Sequence, residues 1–372
     1  MIFKTIKQEI ATIVGYLVFA GILLFGDNLG PANIGAFWST AALLALFAVM
    51  LWLAFVVVRH AECLATLLGE PYGTLILTLS VIGIEVALIA SVMIAGEDKS
   101  ALARDTMFSV VMIVLNGLVG ISLLIGGLRH RLQNYNLIGA SAYLAVLIPL
   151  ASLSLILPRY TQSAPGGELS LIQSIFLILM SVGLYGIFLA IQTVTHSDIF
   201  MQPMEEDAKG AQADHHHDFI VKTVPFHSVA LIAAMLPIVL LSKALATYIT
   251  FGISQLGAPL ALGGFLIAAL VLTPEGISAV EAARTNKLQR AVNLCLGSSL
   301  ATIGMTVPAV LAIGWIFDLR VELGLDNPEI VLLSVTLIIS LVTFLSGRTN
   351  MLLGAVHLSL FGAYLMLIFD NA

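Results

Sequence analysis

Glu85 and Glu275 are the residues whose type and setting point most directly to chemistry. Each sits mid-way along an apolar stretch, TLILTLSVIGIEVALIASVMIA (74–95) and LALGGFLIAALVLTPEGISAVEA (260–282). A helix rising ~1.5 Å per residue needs about 20 apolar residues to cross a hydrocarbon core, and both stretches suffice. An ionised side chain at that depth costs at least ~2.5–3.5 kcal/mol, so an acid there points by default to a functional site that handles ions or protons. No lysine or arginine lies mid-span to pair with either acid. Each acid follows a glycine by twelve positions, Gly73 before Glu85 and Gly263 before Glu275, so the two stretches read as counterparts.

The neighbours fill out an oxygen-rich site. Pro274 directly precedes Glu275. A proline inside a span removes a backbone donor and clashes with the preceding turn, which frees carbonyl oxygens near Leu270 and Val271. Such oxygens beside a carboxylate suit a hard cation. Thr273 and Ser278 add hydroxyls, and Gly83, Thr78 and Ser80 surround Glu85. Asn116 in the fourth span, with Ser298, Ser299 and Thr302 in the ninth, would present side-chain oxygens from facing helices. A hydroxyl can equally bond its own helix backbone, whereas an amide in lipid has more to satisfy. Glu70 and Glu281, near span ends, are candidates for a vestibule. His357, isolated in the last span, reads as a hydrogen-bonded core residue.

The elements that position these residues follow from composition. The chain is 59% hydrophobic and only 10% charged, with a mean hydropathy of +1.04. Soluble domains carry about 25% charged residues, so an all-α polytopic membrane protein is expected. Eleven spans are read at 9–25, 34–58, 71–95, 106–127, 137–157, 169–193, 224–242, 258–281, 288–317, 329–345 and 351–369. Lys4, Lys7, Arg59, Arg129, Arg131, Lys209, Lys222, Arg284, Lys287, Arg290 and Arg348 fall on one side, against Lys99, Arg104, Arg159, Lys243 and Arg320 on the other. Basic residues concentrate in cytoplasmic connections, which predicts a cytoplasmic N-terminus and an outside C-terminus. The first span (1–32) stands apart; the rest form two groups of five, 33–194 and 223–372, separated by a loop at 195–222. An odd number per group makes the groups cross in opposite senses, the layout of inverted-repeat transporters whose ion site lies near the midplane. Each glutamate falls on the second helix of its group.

The loop is the one strongly polar segment. Glu205, Glu206, Asp207, His215, His216 and His217 are candidate regulatory metal ligands, oxygens for Ca2+ or imidazoles for a transition metal. A solvated linker explains the same composition, and no EF-hand spacing is present. Cys63 and Cys295 form neither a ligand cluster nor a disulfide framework.

Several stretches resemble the calcium/cation antiporters, specifically the calcium/proton exchanger group and its bacterial ChaA-like branch. They are GEPYGTLILTLSVIGIEVALIASVMIAG (69–96), RDTMFSVVMIVLNGLVGISLLIGG (104–127), LTPEGISAVEAARTNKLQRAVNLCLGSSLATIGMTVP (272–308) and GRTNMLLGAVHLSLFGAYLM (347–366). The resemblance implies two inverted repeats, each giving one acid to a shared cation site where protons compete; on matching positions these are Glu85 and Glu275. Gly297-Ser298 matches that family's second-repeat Gly-Ser pair. Many members carry Gly-Asn-Ala before the key glutamate, whereas this chain has Val81-Ile82-Gly83 and Val271-Leu272-Thr273. The amide that would complete a calcium shell is absent, which leaves room for Na+ or K+.

The expected function is therefore a secondary antiporter of a bacterial plasma membrane that exports Ca2+, Na+ or K+ in exchange for protons. It needs no cofactor, and its partners are its ions and the bilayer rather than nucleic acid. An empty, doubly ionised site is costly to carry across, so cation and proton fluxes couple. A cation channel and an intramembrane metal-dependent enzyme are the alternatives. The first lacks a filter-like loop, and the second lacks a His-Glu-x-x-His helix or an Asp pair in the spans.

Overall fold

In lipid no water satisfies backbone polar groups, so an apolar chain this long folds as helices that satisfy their own. The computed structural model describes residues 9–69, 72–95, 100–164, 166–202 and 222–370. Glu70 and the loop candidates Glu205, Glu206, Asp207, His215, His216 and His217 lie outside the described residues. Among the described residues eleven helices follow one another: α1 Ile10–Leu29, α2 Pro31–Leu68, α3 Tyr72–Ala95, α4 Leu102–His130, α5 Leu137–Tyr160, α6 Leu171–Thr195, α7 Val224–Leu256, α8 Ala261–Arg284, α9 Leu288–Phe317, α10 Asn327–Phe344 and α11 Met351–Ile368. Among the described residues nine are long and apolar enough to span a membrane, while Ile10–Gly26 of α1 and Thr78–Ile94 of α3 are shorter apolar stretches.

Every expected span lands on one of these helices. The largest differences are in length. α2 continues to Leu68, and α7 runs on through Lys243 to Leu256. Lys243 is on an exposed face of α7, where a long aliphatic stem can carry its charge away from lipid without ending the helix.

Local chemistry sets the helix ends. Asn136 and Asn350 cap α5 and α11 by accepting first-turn amide protons. Ser170–Gln173 and Asp326–Glu329 form capping boxes at α6 and α10. Short strands β1 (Gln133–Asn134) and β2 (Arg348–Thr349) pair antiparallel and tie the ends of α4 and α10 together. Four helices carry π turns, at Ile113–Leu118, Ser152–Ile156, Ile191–Thr195 and Thr302–Thr306. Those in α5 and α9 lie just before Pro158 and Pro308, where the extra residue gives the ring room against the carbonyl four positions back.

Packing is reciprocal between the halves. α2 lies along α7, α8 packs on α4, and α3 packs on α9; the two acid-bearing helices, α3 and α8, also touch each other. The α4–α8 approach requires glycine: a Cβ at Gly264 would stand 2.9 Å from the Asp105 and Thr106 backbone. The halves do not form separate cores. One buried cluster joins α3–α6 to α8–α11, and the other joins α1–α3 to α7 and α8. Large apolar side chains such as Leu24, Phe37, Ile172 and Met366 are exposed on the outer surface, as expected where the surrounding solvent is lipid. At one end of the α2–α7 pair, Arg59 donates to Glu9 (2.8 Å) and the His60 and His227 rings share a hydrogen bond (2.9 Å), fastening α1, α2 and α7.

Candidate cation site

Glu85 on α3 and Glu275 on α8 line one cavity of about 350 Å³. α9 supplies its longest wall. Arg290, Asn293, Gly297, Ser298, Ala301 and Thr302 all line it, and their spacing of three and four residues is one face of a helix. Tyr143 of α5 and Tyr185 and Gln192 of α6 close the far side. Glu85 is only 3% exposed at the deep end, while Arg290 is exposed at the other, so the cavity reaches from the interior to the protein surface.

The carboxylates are incompletely satisfied. Thr302 Oγ1, in the π turn of α9, donates to Glu85 Oε2 at 2.9 Å. Glu85 Oε1 and Glu275 Oε2 are buried, and no donor among the described residues reaches either. An ionised oxygen in that state carries its full desolvation cost. A proton or a cation removes it, and that is the chemistry the arrangement can do. Ser298 stands beside Glu275 as a further oxygen. Among the described residues no group of three or more His, Cys, Asp or Glu could hold a metal; the carboxylates of this cavity are Glu85 and Glu275.

The structure thus brings Glu85, Glu275, Ser298 and Thr302 together. Other sequence candidates lie elsewhere. Asn116 donates to Thr336 (2.8 Å) and faces His357 Nδ1 (3.3 Å), whose Nε2 meets Thr343 Oγ1 (2.9 Å). That buried network holds α4, α10 and α11 together, and His357 is the hydrogen-bonded core residue expected. Thr273 donates to its own helix at Ala269 O (2.6 Å), as Ser278 does to Pro274 O (3.2 Å). Ser299 is fully buried off the cavity face. Leu270 and Val271 belong to the apolar cluster of α2, α3 and α7. Glu281 is exposed, paired to Arg284 (2.7 Å), and lines a separate groove together with Thr273.

Sequence reasoning passed over Tyr143, Tyr185, Gln192, Asn293 and Arg290 as cavity residues. Gln192 donates to Tyr143 Oη (2.7 Å), and Asn293 donates to Phe200 O (2.7 Å). Both are amides inside spans, the signal that singled out Asn116.

A second cavity, of about 500 Å³, opens at the opposite ends of these helices, lined by Asp105, Ser109, Glu329 and Tyr364. Its acids are engaged. Arg104 donates to Asp105 (2.9 Å), Glu322 (2.8 Å) and Gly324 O (3.0 Å), and Glu329 accepts from the Asp326 amide (3.0 Å).

Comparison with known proteins adds to this geometry. The sequence profile described as "Sodium/calcium exchanger protein" matches residues 38–194 and 227–369. The chain is 40% identical over 366 residues to the sodium-potassium/proton antiporter ChaA of Escherichia coli (strain K12), covering 98% of each. It is 24% identical over 324 residues to the Ca(2+)/H(+) antiporter ChaA of Bacillus subtilis (strain 168), covering 87% of this chain and 90% of that one. Its fold superposes on the crystal structure of the selenium-substituted Ca2+/H+ antiporter protein YfkE with a TM-score of 0.73 at 19% identity, covering 97% and 98% of the two chains.

Proposed function

The chain belongs to the sodium/calcium exchanger protein family, and on that premise we propose that it is a secondary antiporter in which Glu85 and Glu275 take up either a cation or protons. The observation that carries this reading is the single cavity bearing two carboxylates, each with a buried oxygen that no described protein donor reaches. Cation or protons neutralise the pair. The doubly ionised pair is too costly to move, so the site changes its exposure only when loaded, and one ion's flux is tied to the other's. Thr302 holds one Glu85 oxygen and Ser298 supplies a hydroxyl, leaving the remaining carboxylate oxygens for the ion.

The cargo is Na+, K+ or Ca2+. The first two follow the name of the relative at 40% identity, and the third that of the relative at 24%. The membrane is a bacterial plasma membrane, in keeping with these bacterial relatives. The repeats are 33–194 and 223–372, after an extra helix in 1–32 and around a cytoplasmic loop at 195–222. Support comes from the reciprocal packing of α3 on α9 and α8 on α4, and from the two segments of the family match. With the basic-rich ends in the cytoplasm, the Glu85–Glu275 cavity faces inward and the Asp105–Glu329 cavity faces outward. A reporter at Gly210 should then read inside and one fused after Ala372 outside; the same side for both would overturn the arrangement.

The test of function is flux in reconstituted vesicles with Ca2+, Na+ and K+ supplied separately. A cation gradient should drive protons the opposite way through the wild-type protein. Cation flux that persists with no proton counter-flux identifies a channel and ends the antiport reading.

A further inference from the structure

We infer that Arg290 is a specificity-determining residue for the charge of the transported cation, disfavouring divalent ions at the Glu85–Glu275 cavity more strongly than monovalent ones. The inference rests on the antiport reading above and goes beyond it, to the class of cargo.

Arg290 lines the same cavity as both glutamates, on the α9 face that also presents Ser298 and Thr302. It has no carboxylate partner among the described residues, whereas Arg104, Arg159 and Arg284 all pair with acids. Its charge therefore acts on the cavity uncancelled by any described neighbour. Ser298 lies eight residues further along, a backbone offset of about 12 Å up the helix axis, and long helical side chains lean back toward the N-terminus, away from Ser298.

A fixed positive charge at that distance raises the energy of a bound ion in proportion to the ion's own charge. If it weakens a monovalent cation by a factor f, it weakens a divalent one by f squared. At ~12 Å and an effective dielectric between those of a protein surface and water, f is about three and its square about ten. The two glutamates by themselves favour a divalent ion, and Arg290 pulls the balance back. The side chains of Glu85, Glu275, Ser298 and Thr302 offer six oxygens in all, the lower end of the six to eight that Ca2+ takes.

The experiment compares wild type, Arg290→Gln and Arg290→Lys in proteoliposomes. The KM for Na+, K+ and Ca2+ is measured at constant ionic strength and at a pH alkaline enough to make proton competition weak. In R290Q, KM should fall about threefold for Na+ and K+ and about tenfold for Ca2+, with maximal rates moved far less. R290K should stay near wild type, since it keeps the charge. Equal shifts for all three cations, a change confined to maximal rate, or R290K behaving like R290Q would each overturn the inference while antiport stands. Wild-type protein without cation-coupled proton flux would instead sink the antiport reading itself.

Discussion

The two cavities at opposite ends of the bundle hold similar charges in opposite states. One is lined by Glu85, Glu275 and Arg290; the other is lined by Asp105 and Glu329 with Arg104 beside them. Around the Asp105–Glu329 cavity the charges have partners: Arg104 bridges Asp105 and Glu322, Arg159 reaches Asp326 (3.2 Å), and Glu329 completes a helix cap. In the Glu85–Glu275 cavity two carboxylate oxygens lack described donors, and the arginine has no acidic partner among the described residues. The difference separates architecture from function. Satisfied charges lock α4, α10 and the α9–α10 connection in place. Unsatisfied ones keep their interaction energy available for an ion.

The largest test of that contrast is to neutralise Glu85 and Glu275. Glu85→Gln and Glu275→Gln each preserve shape and remove a charge worth about 4 kcal/mol to an ion at ~4 Å and an effective dielectric of ~20, before desolvation. Cation-dependent proton flux should vanish in both, in protein that inserts normally, because a neutral amide costs the membrane less than a carboxylate. Glu281→Gln, on an exposed acid already paired to Arg284, should retain exchange. Wild-type flux in both core variants would refute the shared site.

Arg104→Gln probes the opposite cavity. It leaves Asp105 buried without its partner, a change that costs about 3–5 kcal/mol. The thermal stability of the detergent-solubilised variant should drop accordingly, while the KM for cations in surviving protein stays put. A shifted KM with unaltered stability would make the Arg104 cluster functional and dissolve the comparison.

Thr302→Val is the finest probe. It removes the Thr302 hydroxyl that donates to Glu85, a bond to a charged group worth about 1.5 kcal/mol at the low end. Cation KM should rise about tenfold, and Thr302→Ser should restore it. An unchanged KM in the valine variant would remove Thr302 from the site.

Hydropathy and charge alone were enough to place the eleven described helices and to single out Glu85 and Glu275 as candidates, because the cost of polar groups in lipid is a local property of each residue. The rotation of each helix was not legible. Ser298 and Ser299 differ only by about 100° around α9, yet one lines the cavity and the other is buried away from it. In a soluble protein an apolar stripe would have told them apart. In a membrane both faces of a span are apolar, so rotation is set by contacts such as Gly264 against the Asp105 backbone. The same ignorance favoured Asn116 over Gln192 and Asn293, three amides in spans that only packing distributes between a structural network and the cavity. Arg290 counted in the sequence as a loop charge marking the cytoplasmic side. The tertiary structure decided that it lines the Glu85–Glu275 cavity, because the first turns of α9 form part of the cavity wall.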